Sequence, residues 1–202
     1  MTVPVVLVHG WGGSFASTWE RTGFTELLAD AGRRVIGVDL LGHGTAPKPH
    51  DPSAYADLTT RITDVLPDDP VEPVDAVGFS LGALTLLRTA IGLPHRFQRL
   101  VLAGIGRNVF ERDDAATARI LAGIDGTAEP DDNLARLFGQ YARIEGNDTD
   151  ALSAVLRRPD PGPITPAAVA RVTCPVLVVL GENDFAQPAD ALVEALPDAR
   201  YV

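Results

Sequence analysis

One cysteine, Cys174, stands among 202 residues, which excludes an intrachain disulfide and fits a reducing compartment. No apolar run reaches the ~18 residues of a membrane span. The N-terminus "MTVPVVLVHG" has neither a basic start nor a small-residue cleavage site, so it does not read as a secretory signal. Together these absences predict a cytoplasmic protein. Positive charge is also scarce: 17 basic residues face 27 acidic ones, for a net charge of −10. That balance argues against nucleic acid and anionic membranes as partners, since both reward basic patches. The acidic residues are dispersed, as on a solvated surface. Internal repeats and low-complexity tracts are missing.

What remains is an ordinary globular composition, 46% hydrophobic and 22% charged. A chain of this length buries around 70% of its unfolded surface as a single domain. Short apolar runs alternate with amphipathic ones. "VPVVLVHG" (3–10) is a continuous β-branched run ending in glycine, the mark of a strand buried on both faces. In 17–32, Phe24, Leu27, Leu28 and Ala31 fall at helical spacing, with a capping box predicted from Ser17 and Glu20 and a stop at Gly32. "RRVIGVDL" (33–40) predicts the second strand, and Tyr55, Leu58, Ile62 and Val65 a second helix.

"PVDAVGFS" (73–80) predicts a third strand, and a helix over 81–93 follows it with almost no loop. Strands over 97–106 and 174–184 come next, with a helix after the last. Alternation of this kind predicts a parallel sheet with helices on both faces. "ARYV" at 199–202 reads as the opening of one more strand. Residues 105–164 break the rhythm. They hold at least two helical patterns, the clearest being Leu134, Leu137, Phe138, Tyr141 and Ile144. A helical insertion there lies at the carboxyl end of the sheet, where open α/β sheets bind ligands, and predicts a cap over a pocket. The alternative is a long surface excursion without function.

Chemistry is concentrated in Gly78-Phe79-Ser80-Leu81-Gly82, a G-x-S-x-G placed between a strand and a helix with no spare residue. So sharp a turn strains the backbone and presents Ser80 Oγ above the sheet as a nucleophile. The competing role for a serine after a strand is a helix N-cap. A tetrahedral oxyanion needs donors, and the Leu81 N–H supplies one by construction. The glycine-rich loop "HGWGGS" (9–14) predicts the second at the Trp11 N–H. Read as a phosphate cradle, that loop lacks both the G-x-G-x-x-G spacing and a Walker lysine. Phe79, Phe185 and Trp11 are candidate pocket walls, though aromatic residues beside an elbow also serve as core. Cys174 reads as a small buried apolar residue.

In order and at familiar spacings, "LVHGWGGS", "VIGVDLLGHG", "VDAVGFSLGA", "RLVLAGI" and "CPVLVVLGENDF" resemble a serine hydrolase of the α/β-hydrolase superfamily, over nearly the whole chain. The resemblance implies an α/β-hydrolase core over 1–104 and 165–202, with a cap over 105–164. It implies an acid at Asp184 in "GEND", makes His9 a shaper of the oxyanion turn, and calls for no cofactor and no metal. It departs in two places: the antiparallel pair often found upstream of the strand before "HGWGG" is missing, and, although the family's order is Ser, acid, His, no histidine follows Asp184. His9, His43, His50 and His95 are the whole supply, and none has an evident acid partner in the sequence. The expectation is therefore a truncated copy of an esterase-like enzyme, acting on a small, largely apolar molecule through an acyl-enzyme on Ser80. The alternative is a non-catalytic ligand-binding protein of the same fold.

Overall fold

In the computed structural model, residues 3–69 and 71–202 are described; Met1, Thr2 and Pro70, which fall in the predicted core segment, lie outside them. The sheet has six strands, all parallel: β1 (Val5–Val8), β2 (Val35–Val38), β3 (Val74–Phe79), β4 (Phe97–Ala103), β5 (Val176–Val179) and β6 (Ala199–Tyr201). Their order across the sheet is β2-β1-β3-β4-β5-β6. The chain winds outward from β1 to β2, then crosses to β3 on the other side of β1. The loops after β1 and β3 therefore diverge at the carboxyl edge, the switch point at which such sheets bind ligands.

Both faces of β1 are buried, which is why its apolar run does not alternate with polar residues. Successive side chains point to opposite faces. Val6 and Val8 join the main core with Leu86, Leu87 and Ala90 of helix α3 (Leu81–Gly92). Val5 and Leu7 join Trp19, Phe24 and Leu28 on the other face, the latter two from α1 (Phe24–Asp30). Cys174 is buried in the main core, as its apolar reading requires.

Two expected helices are broken. Instead of one helix over 17–32, a wide turn over Ala16–Glu20 closes with Arg21 N–H on Ala16 O, and α1 starts afresh at Phe24. Gly23, in the left-handed region at φ 77°, makes the break. No capping box forms: Ser17 Oγ instead accepts the Ser14 N–H at 2.8 Å. The stretch from Tyr55 to Val65 likewise splits into a turn over Pro52–Tyr55 and a short α2 (Thr60–Thr63). There Asp57 Oδ1 takes the N–H and hydroxyl of Thr59, a local bond that competes with the helix. Tyr55, Leu58 and Ile62 are nonetheless buried, as their spacing predicts.

Between β4 and β5 stand α4 (Asp114–Asp125), α5 (Asn133–Ala142) and α6 (Thr149–Leu156), followed by a short α7 (Pro166–Val169); α8 (Asp190–Ala195) precedes β6. Asp113, Asp132 and Asp148 cap α4, α5 and α6, each accepting backbone N–H groups of the first turn. Each such cap contributes about 1 kcal/mol. On α5 the small residues Ala135, Gly139 and Ala142 are the buried ones. A Cβ on Gly123 of α4 would stand 2.0 Å from the Ala135 oxygen, so glycine sets how closely these two helices approach. The large residues of the predicted stripe go the other way: Leu137, Tyr141 and Ile144 are exposed.

Candidate active site

Ser80 lies between β3 and α3 with φ 51° and ψ −114°, the one positive φ among described non-glycine residues. Backbone in that region stores about 1–3 kcal/mol of strain for a residue with a Cβ. The turn is held by the Ser80 N–H on the Ala103 oxygen of β4, at 2.8 Å. Its hydroxyl caps nothing, so the N-cap role is unfilled and the side chain is left to the site. The flanking glycines are steric necessities: a Cβ on Gly78 would stand 2.7 Å from Ala83 N, and one on Gly82 would stand 2.5 Å from Val8 O. At the first turn of α3 the Leu81 N–H has no acceptor among the described residues.

The loop after β1 turns sharply: Gly13 N–H donates to Gly10 O at 3.1 Å, with Gly12 at φ 73°. The Trp11 N–H, inside that turn, also finds no described acceptor. His9 fixes the turn from below. Its fully buried ring accepts the Leu40 N–H on Nε2 at 3.1 Å, so the proton sits on Nδ1, 2.7 Å from Gly10 O. Burial pushes the His9 pKa down, against the Gly10 contact and the Asp39 charge, and the ring is neutral. Asp39 ties the same loop to the one after β2, accepting Phe15 N–H at 2.7 Å and Thr45 N–H at 2.8 Å. Burial works to raise the Asp39 carboxyl, but those bonds hold it below its ordinary range.

Asp184 follows β5 at the same edge of the sheet, partly exposed, with Oδ1 accepting the Ala186 N–H at 2.9 Å. Phe79 is half exposed, its ring wedged between Gly10 and Gly104, where added Cβ atoms would stand 2.9 and 3.0 Å from it. Trp11 reaches the helical segment: its Nε1–H donates to Leu152 O at 3.2 Å, and its ring lies 5.5 Å from Phe138. Phe138 in turn lies 6.4 Å from Phe185 and 6.2 Å from Tyr141, both edge-on. Asn147 Nδ2 donates to Gly12 O at 2.9 Å, a second tie from the insertion to this loop. Phe138, Tyr141 and Asn147 escaped the sequence reading of the site. The helical spacing of α5 put Phe138 and Tyr141 on one face, but nothing local said what that face meets.

The histidines correct one expectation, because one of them does have an acid partner: His50 Nε2 lies 3.0 Å from Asp148. His9 Nε2 lies 3.7 Å from Asp39 but carries no proton to give it. Neither Ser80 nor Asp184 is involved. His43 packs against His9 with ring centroids 5.0 Å apart, and burial above all pushes its pKa down to about 3. His95 sits on the turn leading into β4, at the opposite end of that strand from Ser80. Among the described residues, then, the elbow, two free amides and the carboxylate share the carboxyl edge with no histidine hydrogen-bonded to either Ser80 or Asp184.

His50, Asp148 and Asp150 are the one group of described side chains with metal-ligating spacing, their ligand atoms within 4.8 Å of one another. They lie on the surface, where Asp148 already serves His50 and the amides of Asp150 and Ala151. A cavity of about 320 Å³ opens beside them, lined by His50, Asp150 and Arg157 among others, and Ser80 is not part of it.

Residues 5–202 match the profile of the alpha/beta hydrolase family. The chain is 37% identical over 118 residues to a 2-hydroxy-6-oxo-2,4-heptadienoate hydrolase of Pseudomonas putida, a match covering 57% of this chain and 42% of that protein. It is 27% identical to a pimeloyl-[acyl-carrier protein] methyl ester esterase of Nitrosomonas europaea, over 98% of this chain and 85% of the other. Among solved structures, a bromoperoxidase of Bacillus anthracis superposes with a TM-score of 0.72 at 20% identity, over 100% of this chain and 83% of its own. That last likeness is one of fold. No helix among the described residues is long and apolar enough to cross a membrane.

Proposed function

Since the chain belongs to the alpha/beta hydrolase family, we propose that it is a hydrolase acting on an ester-like bond of a small, largely apolar molecule, with Ser80 as nucleophile. The observation that carries the reading is the elbow: a strained serine whose hydroxyl caps nothing, flanked by glycines that admit nothing larger. Ser80 Oγ attacks the carbonyl carbon and its proton passes to a base. The tetrahedral oxyanion is held by the N–H groups of Trp11 and Leu81, donors worth ~10²–10³ in rate each. Collapse expels the alcohol, which leaves with the proton from the base. Water then attacks the acyl-enzyme by the same route, releasing the acid and restoring Ser80.

Asp184 is the carboxylate that orients the base in this scheme. None of His9, His43, His50 and His95 is hydrogen-bonded to Ser80 or Asp184 among the described residues, so the scheme calls for a base that these contacts do not supply. No cofactor enters any step. The Trp11–Phe138–Phe185 ring contacts, with Phe79 against Gly10 of the same loop, support apolar walls and an uncharged acyl group. The cap reading of 105–164 is supported by the ties from Leu152 and Asn147 to the loop that carries Trp11. The name of one relative, a methyl ester esterase, supports an ester as the bond cleaved.

The second reading is a ligand-binding protein without turnover, favoured by the absence of any described histidine bonded to Ser80 or Asp184. One experiment separates them. Protein isolated from its native source is incubated with a fluorophosphonate, then assayed with p-nitrophenyl acetate and butyrate. An adduct mapped to Ser80, with turnover abolished by Ser80→Ala, supports the enzyme. Saturable ligand binding with neither adduct nor turnover overturns it in favour of the binding protein.

A further inference from the structure

Three of the four residues in the turn Gly10-Trp11-Gly12-Gly13 are glycines, so the turn has little stiffness of its own. Gly10 O accepts the Gly13 N–H at 3.1 Å, and Gly12 stands at φ 73°. Trp11 has no positive φ, since among described non-glycine residues Ser80 alone has one. That combination is a type II turn, in which only the third residue enters the left-handed region. The Gly10 carbonyl and the Trp11 N–H belong to one peptide. A trans peptide is planar, so whatever holds the carbonyl aims the N–H the other way. His9 Nδ1–H and Gly13 N–H both reach Gly10 O.

The Gly13 N–H shares its own peptide with Gly12 O, and that oxygen accepts from Asn147 Nδ2 at 2.9 Å. The second Nδ2 hydrogen goes to Tyr141 O, also at 2.9 Å. With carbonyl oxygens as both partners, the side-chain amide has one workable orientation, nitrogen inward. Asn147 N–H donates to Ile144 O at 3.0 Å, which fixes the residue on the link between α5 and α6. A Cβ on Gly12 would stand 3.5 Å from Tyr141 Cβ, so the turn rests against the end of α5 at ordinary contact distance. A line of bonds thus runs from Asn147 through the Gly12–Gly13 peptide to the Gly10–Trp11 peptide. Its far end is the Trp11 N–H, which has no acceptor among the described residues. Hydrogen bonds in series polarise and order one another.

We propose that Asn147 is a positioning residue for the oxyanion: it sets the Trp11 N–H through the Gly12–Gly13 peptide, so that this donor is aimed only while the helical insertion is seated on the loop. The catalytic role rests on the hydrolase reading; the relay of hydrogen bonds stands apart from it.

Asn147→Asp is nearly isosteric and turns both donors into acceptors that face carbonyl oxygens. In the whole protein, hydrogen exchange at the Gly13 N–H is expected to quicken about fivefold or more, with β1 and β3 unchanged. For p-nitrophenyl acetate, kcat falls about tenfold or more while KM stays within about threefold, because an aimed donor acts on the transition state and not on bound substrate. Arg157→Gln is the control. It cuts a 3.0 Å surface tie to Asp125 within the same insertion and leaves both readouts unchanged, which separates aiming from a general loosening of the insertion. Should Asn147→Asp fail to fold, Asn147→Ala removes both donors without adding charge and decides. Gly13 exchange that matches the parent chain, or a raised KM at unchanged kcat, overturns the proposal. A parent chain with neither Ser80 adduct nor turnover overturns the hydrolase reading and the catalytic role with it, whereas Gly13 exchange upholds or overturns the relay in either case.

Discussion

Gly82 sits so close to the main chain of His9 that a Cβ on it would stand 2.4 Å from the His9 oxygen. The first turn of α3 is thereby pressed against the loop that carries Trp11. The spacing between the elbow and the second candidate oxyanion amide is set by backbone against backbone. Gly82→Ala forces them apart, destabilising the fold by about 1–3 kcal/mol and reducing ester turnover far more than that loss of stability explains. Gly92→Ala is the control. Nothing lies within 4 Å of a Cβ there, and a gain of about 0.5–1 kcal/mol is expected. Denaturant midpoints and p-nitrophenyl acetate turnover check both.

With Ser80 as the proposed nucleophile, Ser80→Gly and Ser80→Ala are both expected to end turnover, and they part on stability. Glycine at φ 51° relaxes the strain that serine and alanine share. Ser80→Gly is therefore expected to be more stable than Ser80→Ala, by about 1 kcal/mol. Equal melting temperatures for the two variants would remove the case for a strained elbow.

Acid titration tests the buried imidazoles. His43 has its pKa pushed from 6.5 down to about 3, chiefly by burial, so the unfolded chain binds a proton that the folded chain refuses. Its contribution is complete above 6.5 and is lost as pH falls through the window below it. The slope is up to about 1.4 kcal/mol per pH unit. His9 acts in the same direction. In His43→Asn the urea midpoint is expected to fall less steeply between pH 6.5 and 5 than in the parent chain. His50, whose pKa is raised by its hydrogen bond to Asp148, has the opposite sign: its tie to α6 is present at low pH and lost as pH rises through its folded pKa.

Asp184→Asn separates chemistry from folding. The one described bond of the carboxylate is accepted from Ala186 N–H, and an asparagine oxygen accepts it equally well. Stability is expected to change by less than about 0.5 kcal/mol. Turnover of the active protein falls by about 10⁴, as where the orienting carboxylate of a serine protease is replaced. A variant that unfolds, or one that keeps full turnover, removes Asp184 from the site.

Trp11→Phe keeps an aromatic ring beside Phe138 and deletes the donor to Leu152 O. A loss of about 0.5–1.5 kcal/mol is expected, with faster hydrogen exchange concentrated in α6. Exchange spread evenly over the sheet would mean that the indole is ordinary core.

Local signals were legible wherever the physics was local. The run of Val5 to Val8, the zero-length turn at Ser80 and the stop at Gly32 each follow from the residues that form them. The broken helices show the limit. Gly23 and Asp57 interrupt periodic apolar residues, and the apolar side chains still reached the core because burial depends on where they point and not on an unbroken helix. Asp113, Asp132 and Asp148 were visible as acidic residues but not as caps, since an N-cap is recognised only once the helix start is fixed.

The sequence by itself determined the α/β alternation, the parallel sheet, the strained serine and the glycine turn after β1, because each rests on backbone geometry within a few residues. Tertiary structure alone decided that His9 is a neutral clamp on Leu40, that Phe138 faces Trp11 and Phe185, and that Asn147 reaches Gly12. Those pairings join residues tens of positions apart. They are fixed by the order in which the strands lie and by the packing of α4, α5 and α6, which no local window of residues contains.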